Sequence, residues 1–380
     1  MVDIIECSRI RYPPFESSLK NPQHLPIIEN EVVVAKGVED VESYIEKLPA
    51  PTKIGDENNW LVERKLFSID SDGKRNEISY FSSLDEREFP SIVERQRVGW
   101  YLTPNPIHAR ARKVITIAVT LLLIALVYQT LEPVLEWLGI IEKPIGSIQI
   151  GILDYPFLIV FVLPFMIFPL LLRVGANLVD LQSQKKFLSN QLEPPAINFS
   201  AQPCSDQPLS GEISIDNPLD DWQSLSLKWR VGVLPPSRED ALASLGIAEG
   251  GQPPPGFSTT LPHYWEAGLS DGTGVGEETP MEHHDIRGGL FLRPMRISEN
   301  GGKQKLPLQG GKFELTPPSS SWSGTQAGSL VRIHWELQVK IERLHNRPLY
   351  WLLPLRVRSG NGPFEISEIL IRDGRSEEKW

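Results

Sequence analysis

Two uncharged runs constrain this chain more than any other feature. Val114–Leu131 reads VITIAVTLLLIALVYQTL and Tyr155–Leu172 reads YPFLIVFVLPFMIFPLLL, each 18 residues without a charged side chain. At ~1.5 Å of rise per residue, about 20 helical residues cross a hydrocarbon core roughly 30 Å thick. Soluble helices are usually shorter and keep a polar face, which neither run has. The expectation is a transmembrane hairpin, with the first span over about residues 114–135 and the second over about 150–172. The competing reading is two buried helices of a large soluble core.

The flanks orient the hairpin. Arg110, Arg112 and Lys113 precede the first run, and Arg173, Lys185 and Lys186 follow the second. Between the runs, Lys143 is the single base beside Glu132, Glu136, Glu142 and Asp154. Short loops rich in Lys and Arg stay on the cytoplasmic side, so both termini are expected there, in a two-span protein of the cell membrane. Trp137 suits the outer interface, and Lys185 and Lys186 suit anionic headgroups on the inner one. Pro164 should bend the second helix. Glu132 and Asp154 each lie at an end of an apolar run, which favours a watery boundary over an ion path, although a small transporter or channel subunit would use such acids. Gly146 and Gly151 are spaced too widely for a GxxxG contact, and association through the hairpin stays open.

The 380 residues allow two soluble parts besides the hairpin. A net charge of −10 argues against a nucleic-acid partner, which needs a basic face. Cys7 and Cys204 lack metal-type spacing, and no cofactor is expected. Residues 1–30 hold scattered prolines and no periodicity, and are expected to form an extended arm. Residues 31–106 suggest a small α+β region, or a partly ordered one that needs a partner. In it, Gly37–Leu48 carries a helical stripe, and Asp72-Gly73 marks a turn between strands at Trp60–Ile69 and Glu77–Ser82. Residues 107–192 comprise the hairpin and a juxtamembrane helix, and residues 372–380 form a tail.

After Pro195 the period becomes two. In Gln223–Val233, Leu225, Leu227, Trp229, Val231 and Val233 alternate with Ser224, Ser226, Lys228 and Arg230. In Leu330–Arg343, Val331, Ile333, Trp335, Leu337, Val339 and Ile341 alternate with Arg332, His334, Glu336, Gln338, Lys340 and Glu342. Each pattern predicts a strand with one buried and one wet face. Shorter candidates lie at Gly211–Ile215, Gly289–Ile297, Gly311–Leu315, Trp351–Val357 and Phe364–Ile371. Together they read as an antiparallel β-sandwich over residues 197–371, with a loop insert at 234–287.

The sandwich carries a resemblance. Phe313–Leu315, the turn Pro317-Pro318-Ser319-Ser320-Ser321-Trp322-Ser323-Gly324, and the long strand Leu330–Arg343 resemble the arrestin-like sandwich, and Gly211–Leu219 and Leu225–Val233 fit its earlier strands. The resemblance implies a binding scaffold or adaptor without catalysis. The chain departs from it in having room for one sandwich rather than two, and in the long insert. No residues of a phosphate-sensing core are carried over.

Candidate sites are few. His283, His284 and Asp285, with His263 upstream, offer ligands for zinc or nickel, but adjacent histidines point apart and no second spaced pair completes a cage. Gly272–Gly276 lacks the Lys-Ser/Thr of a phosphate loop. No GxSxG elbow occurs, so no enzyme is expected. His334 is placed on a wet face. Trp322, Tyr350 and Trp351 are candidate partner-binding aromatics, while Trp335 is assigned to the core. The function expected is a membrane-anchored interaction scaffold or adaptor with protein partners. The alternative puts the sandwich outside the cytoplasm as an envelope or surface module, where the sequon at Asn198 would matter.

Overall fold

The structure is a computed structural model of all 380 residues. It describes residues 1–12, 23, 25–46, 48–79, 81–89, 93, 97–102, 106–140, 146–189, 192–234, 242–248, 251, 288–291, 295, 297–328, 330–344 and 346–369. The metal candidates His283, His284 and Asp285, most of the insert 234–287 and the tail 372–380 lie outside these residues.

The chain divides into two compact units, one from Met1–Thr103 and Leu192–Trp380 together, the other from Pro104–Gln191. The expected boundary between an N-terminal α+β region and a C-terminal sandwich is therefore not found. Both belong to one β-rich unit, and the apolar helices interrupt its sequence.

Among the described residues, that unit holds three sheets. In the first, β1 (Val2–Arg11) lies between β2 (Ile28–Val38) and β4 (Leu61–Ile69). Beyond β4 come β3 (Thr52–Gly55), β5 (Arg75–Ile78) and β18 (Glu365–Ile366). The expected arm over residues 1–30 is thus corrected for Val2–Arg11, which is an interior strand. Its alternation is hidden because Glu6 sits where an apolar residue would, and Arg64 bonds it at 2.8 Å. The helix α1 (Val41–Ile45), capped by Asp40, joins Ile4, Leu66 and Ile78 through Ile45 in a small core. The expected turn is present, with Gly73 at φ +78°.

The central sheet runs β12 (Gly288–Phe291), β6 (Gly99–Leu102), β17 (Leu349–Leu355), β16 (Arg332–Arg343), β11 (Trp222–Val233), β13 (Ile297–Leu306), with β15 (Gln326–Ala327) paired to β16. Where one strand was expected over Gly289–Ile297, β12 and the start of β13 are separate. A small sheet of β14 (Gly310–Leu315), β10 (Leu209–Ser214) and β9 (Ala196–Phe199) supplies buried Leu209, Ile213, Phe313 and Leu315. The apolar face of the central sheet buries Leu225, Leu227, Trp229, Val231, Trp335 and Leu337, with the Trp229 and Trp335 rings 4.9 Å apart. These layers are compatible with a β-sandwich.

The second unit has two long helices, α2 (Pro106–Trp137) and α3 (Phe157–Ser189), joined through a β-hairpin of β7 (Ser147–Ile150) and β8 (Leu153–Pro156) that turns at Gly151, φ +67°. Both helices are long and apolar enough to cross a membrane. Most of their large apolar side chains are exposed, while Ala118, Ala125 and Glu132, seven residues apart, are buried on α2, as are Val162 and Ala176 on α3. Gln129 Nε2 donates to the buried Glu132 carboxylate at 3.1 Å.

Candidate functional site

The second face of the central sheet departs most from expectation. Directly paired residues point to the same face of a sheet. Arg230 pairs with Glu336, Gly232 with His334, and Lys228 with Gln338. All were placed on a wet face, yet Lys228, Arg230, Arg332, His334, Glu336 and Gln338 are buried. Alternation reports which residues are apolar, and says nothing of whether a second layer covers the polar set.

Glu336 is the hub. The Arg97 guanidinium donates from Nε to Oε2 and from Nη2 to Oε1, both at 2.7 Å. Gln338 Nε2 donates to Oε1 at 2.7 Å, and His334 Nε2 lies 3.0 Å from Oε2. Arg230 approaches to 3.8 Å and donates to Ser298 Oγ at 3.2 Å. Burial alone would raise the Glu336 pKa, but Arg97 and His334 prevail and hold it well below the usual carboxylate range. Burial pushes His334 down, against the pull of Glu336. A small apolar plug of Val93, Leu234 and Met295 forms beside this cluster, with Met295 Sδ close to Gly232. Both Glu336 oxygens accept two hydrogen bonds each, which suits a clasp between distant chain segments better than proton transfer.

Further along the same face the charge becomes positive. On β13, Lys303 pairs with Lys228 and Lys305 with Ser226, while Ser226 pairs on its other side with Lys340. Lys303 and Lys305 are exposed. Lys340 bonds Glu342 at 2.6 Å. Burial, then the nearby Lys340 and Lys305, lower the Lys303 pKa. Lys228 and Lys340 were readable as polar positions of alternating strands. Lys303 and Lys305 were not, because Asn300-Gly301-Gly302 looks like a turn. Here a Cβ on Gly301 or Gly302 would come within 2.6 Å of Thr316 backbone, so the glycines permit close passage of β13 past the end of β14.

No family model matches this chain, and no curated protein matches it.

The aromatic candidates are corrected. Trp322 is 2% exposed, and its indole donates to Glu299 at 2.8 Å. Tyr350 is buried with Tyr101 and Leu352. Trp351 is buried on the apolar face, opposite Trp100. None of the three forms an exposed stripe. Of the interface candidates, Arg110, Lys113, Lys185 and Lys186 are exposed, Arg173 is half-buried, Trp137 is 83% exposed, and the Arg112 side chain is outside the described set. Among the described residues, no cluster of three His, Cys, Asp or Glu is placed to hold a metal.

Proposed function

We propose that this protein is a membrane-anchored, non-catalytic interaction scaffold, in which α2 and α3 cross the bilayer and hold the β unit at the cytoplasmic face. The observation that carries this reading lies within the β unit. Trp100, on the strand just before the helices, donates its indole N–H to the carbonyl of Glu193, just after them, at 3.1 Å. The chain leaves the unit and returns to it at one place, as an inserted anchor requires. Two further facts support the reading: α2 and α3 are apolar around their circumference, and basic residues flank them on the side of both termini.

The arrestin-like character of the sandwich belongs to the same proposal. Its support is the Pro317–Gly324 turn, which Glu299 gathers through Ser319, Ser320 and Trp322 before the chain enters the long strand β16. Partner proteins would add an extended segment to β2, whose Val32 and Val33 are 47% and 46% exposed and which, among the described residues, pairs on one side only.

Protease protection in sealed right-side-out membranes, with tags at both termini, tests the proposal. Survival of both tags until the membrane is opened supports it. Removal of both while it is sealed makes the β unit a surface module, and release of the protein by alkaline carbonate ends the anchoring idea.

A further inference from the structure

The packing of α2 against α3 carries information that neither apolar run holds alone. Ala118, Ala125 and Glu132 are buried on α2, and Val162, Pro169 and Ala176 on α3, each set at a spacing of seven. That spacing keeps side chains along one seam of packed helices. The two helices pack antiparallel, so the seam is a ladder with Ala118 opposite Ala176, Ala125 opposite Pro169 and Glu132 opposite Val162. In this register each of the six faces another buried position, and Trp137 at the end of α2 comes level with Phe157 at the start of α3. A slip of one heptad would set Glu132 opposite Tyr155, or Val162 opposite Gly139, both outside the helices. Carried along the ladder, Arg173 on α3 lies level with Leu121 on α2. The two uncharged runs are therefore staggered, although each is 18 residues long. The levels of Arg173 and Glu132 are about 16 Å apart at ~1.5 Å of rise per residue, against roughly 30 Å for an ordinary hydrocarbon core.

We propose that the hairpin selects a thin bilayer of phospholipids with short acyl chains, with Arg173 at its inner boundary and Glu132 at its outer one. This rests on the anchored reading above and names the lipid that the anchor prefers. A span shorter than its bilayer can thin the lipid around it, extend flanking side chains, or associate. Arg173 is half-buried, and a long Arg side chain can extend towards the inner headgroups. Glu132 is buried, and its shorter stem has no comparable reach. Pairing either charge within the hairpin would leave it in the hydrocarbon, where a buried pair still carries a desolvation cost. Association would leave both at the same depth. A shorter lipid relieves both ends at once. Between the two levels, Leu123, Ile124 and Val127 on α2 and Phe168, Leu170 and Leu171 on α3 are exposed, which gives both helices an apolar belt for that lipid.

The test reconstitutes the full chain in vesicles of equal parts dimyristoleoyl- and dierucoyl-phosphatidylcholine. Styrene–maleic acid polymer then excises the protein with its surrounding lipid, and mass spectrometry measures the two lipids. Mismatch carries a modest cost for each ångström, so roughly threefold enrichment of the shorter lipid over bulk is expected. Arg173→Leu combined with Glu132→Leu removes both charged levels and should abolish the enrichment. Arg173→Leu alone lies outside the ladder, leaves the seam intact, and should reduce it. Bulk proportions around the unaltered chain would overturn the proposal while leaving the anchor intact. Enrichment that survives the double substitution would also overturn it. Release of the chain from the vesicles by alkaline carbonate would instead sink the anchored reading, and this proposal with it.

Discussion

Arg97 and Glu336 are bound to each other through two parallel 2.7 Å hydrogen bonds, with side chains 2% and 0% exposed, across 239 residues of sequence. Both apolar helices lie between them in the chain. The pair clasps the segment that precedes the helices to the strand that follows them.

Breaking one side of the clasp should therefore cost more than removing both. Glu336→Gln leaves Arg97 and Arg230 buried without their carboxylate, and should destabilise the β unit by about 3–5 kcal/mol. Arg97→Met combined with Glu336→Leu should recover much of that loss. Denaturant unfolding of the detergent-solubilised protein, followed by tryptophan fluorescence, measures both. Additive losses, with the double variant losing the sum of the Arg97→Met and Glu336→Leu single variants, would show that the pair is not coupled.

Acid should loosen the same cluster in two steps. His334 is depressed by burial, so the unfolded chain binds a proton there at a higher pH than the folded one. Stability from this source is present above the ordinary histidine value of about 6.5 and falls as pH drops through it. Glu336 is held well below its usual range despite burial, so its contribution is present above the unfolded carboxylate pKa of about 4.3 and is lost at lower pH. His334→Gln should erase the first step and keep the second in a pH series of melting temperatures.

Glu299 gathers the Pro317–Gly324 turn through Ser319 N and Oγ, Ser320 N and Trp322 Nε1, at 2.6–3.2 Å. Glu299→Ala should cost about 2–3 kcal/mol, since hydrogen bonds to a charged group are lost. Near-ultraviolet circular dichroism should report a changed Trp322 environment. An unchanged spectrum would mean that the turn is held elsewhere.

Gly310 has φ +100°, and a Cβ there would sit 2.0 Å from the Ile213 carbonyl oxygen. Gly310→Ala should cost at least about 2 kcal/mol and break the pairing of β10 with β14. Gly139, at φ +69° in open space, should accept Ala at the backbone cost alone, about 1–2 kcal/mol. Parallel melting curves of the two variants check the contrast.

The sequence by itself determined what periodicity and charge can encode. The uncharged runs specified two long helices, and the alternation in Leu225–Val233 and Val331–Ile341 specified β11, β16 and their apolar face. The Asp72-Gly73 turn marked the link from β4 to β5. These are local signals, because each follows from the spacing of side chains on one element. Tertiary structure decided the rest. No local pattern pairs Tyr101 with Tyr350, or sets β1 inside a sheet while its Glu6 awaits Arg64. The polar half of β16 reads as wet until Arg97 arrives to neutralise Glu336. The four lysines become neighbours only when β13 takes its register beside β11. Partner and register depend on residues hundreds of positions away, where loop closure and burial, rather than local preference, set the free energy.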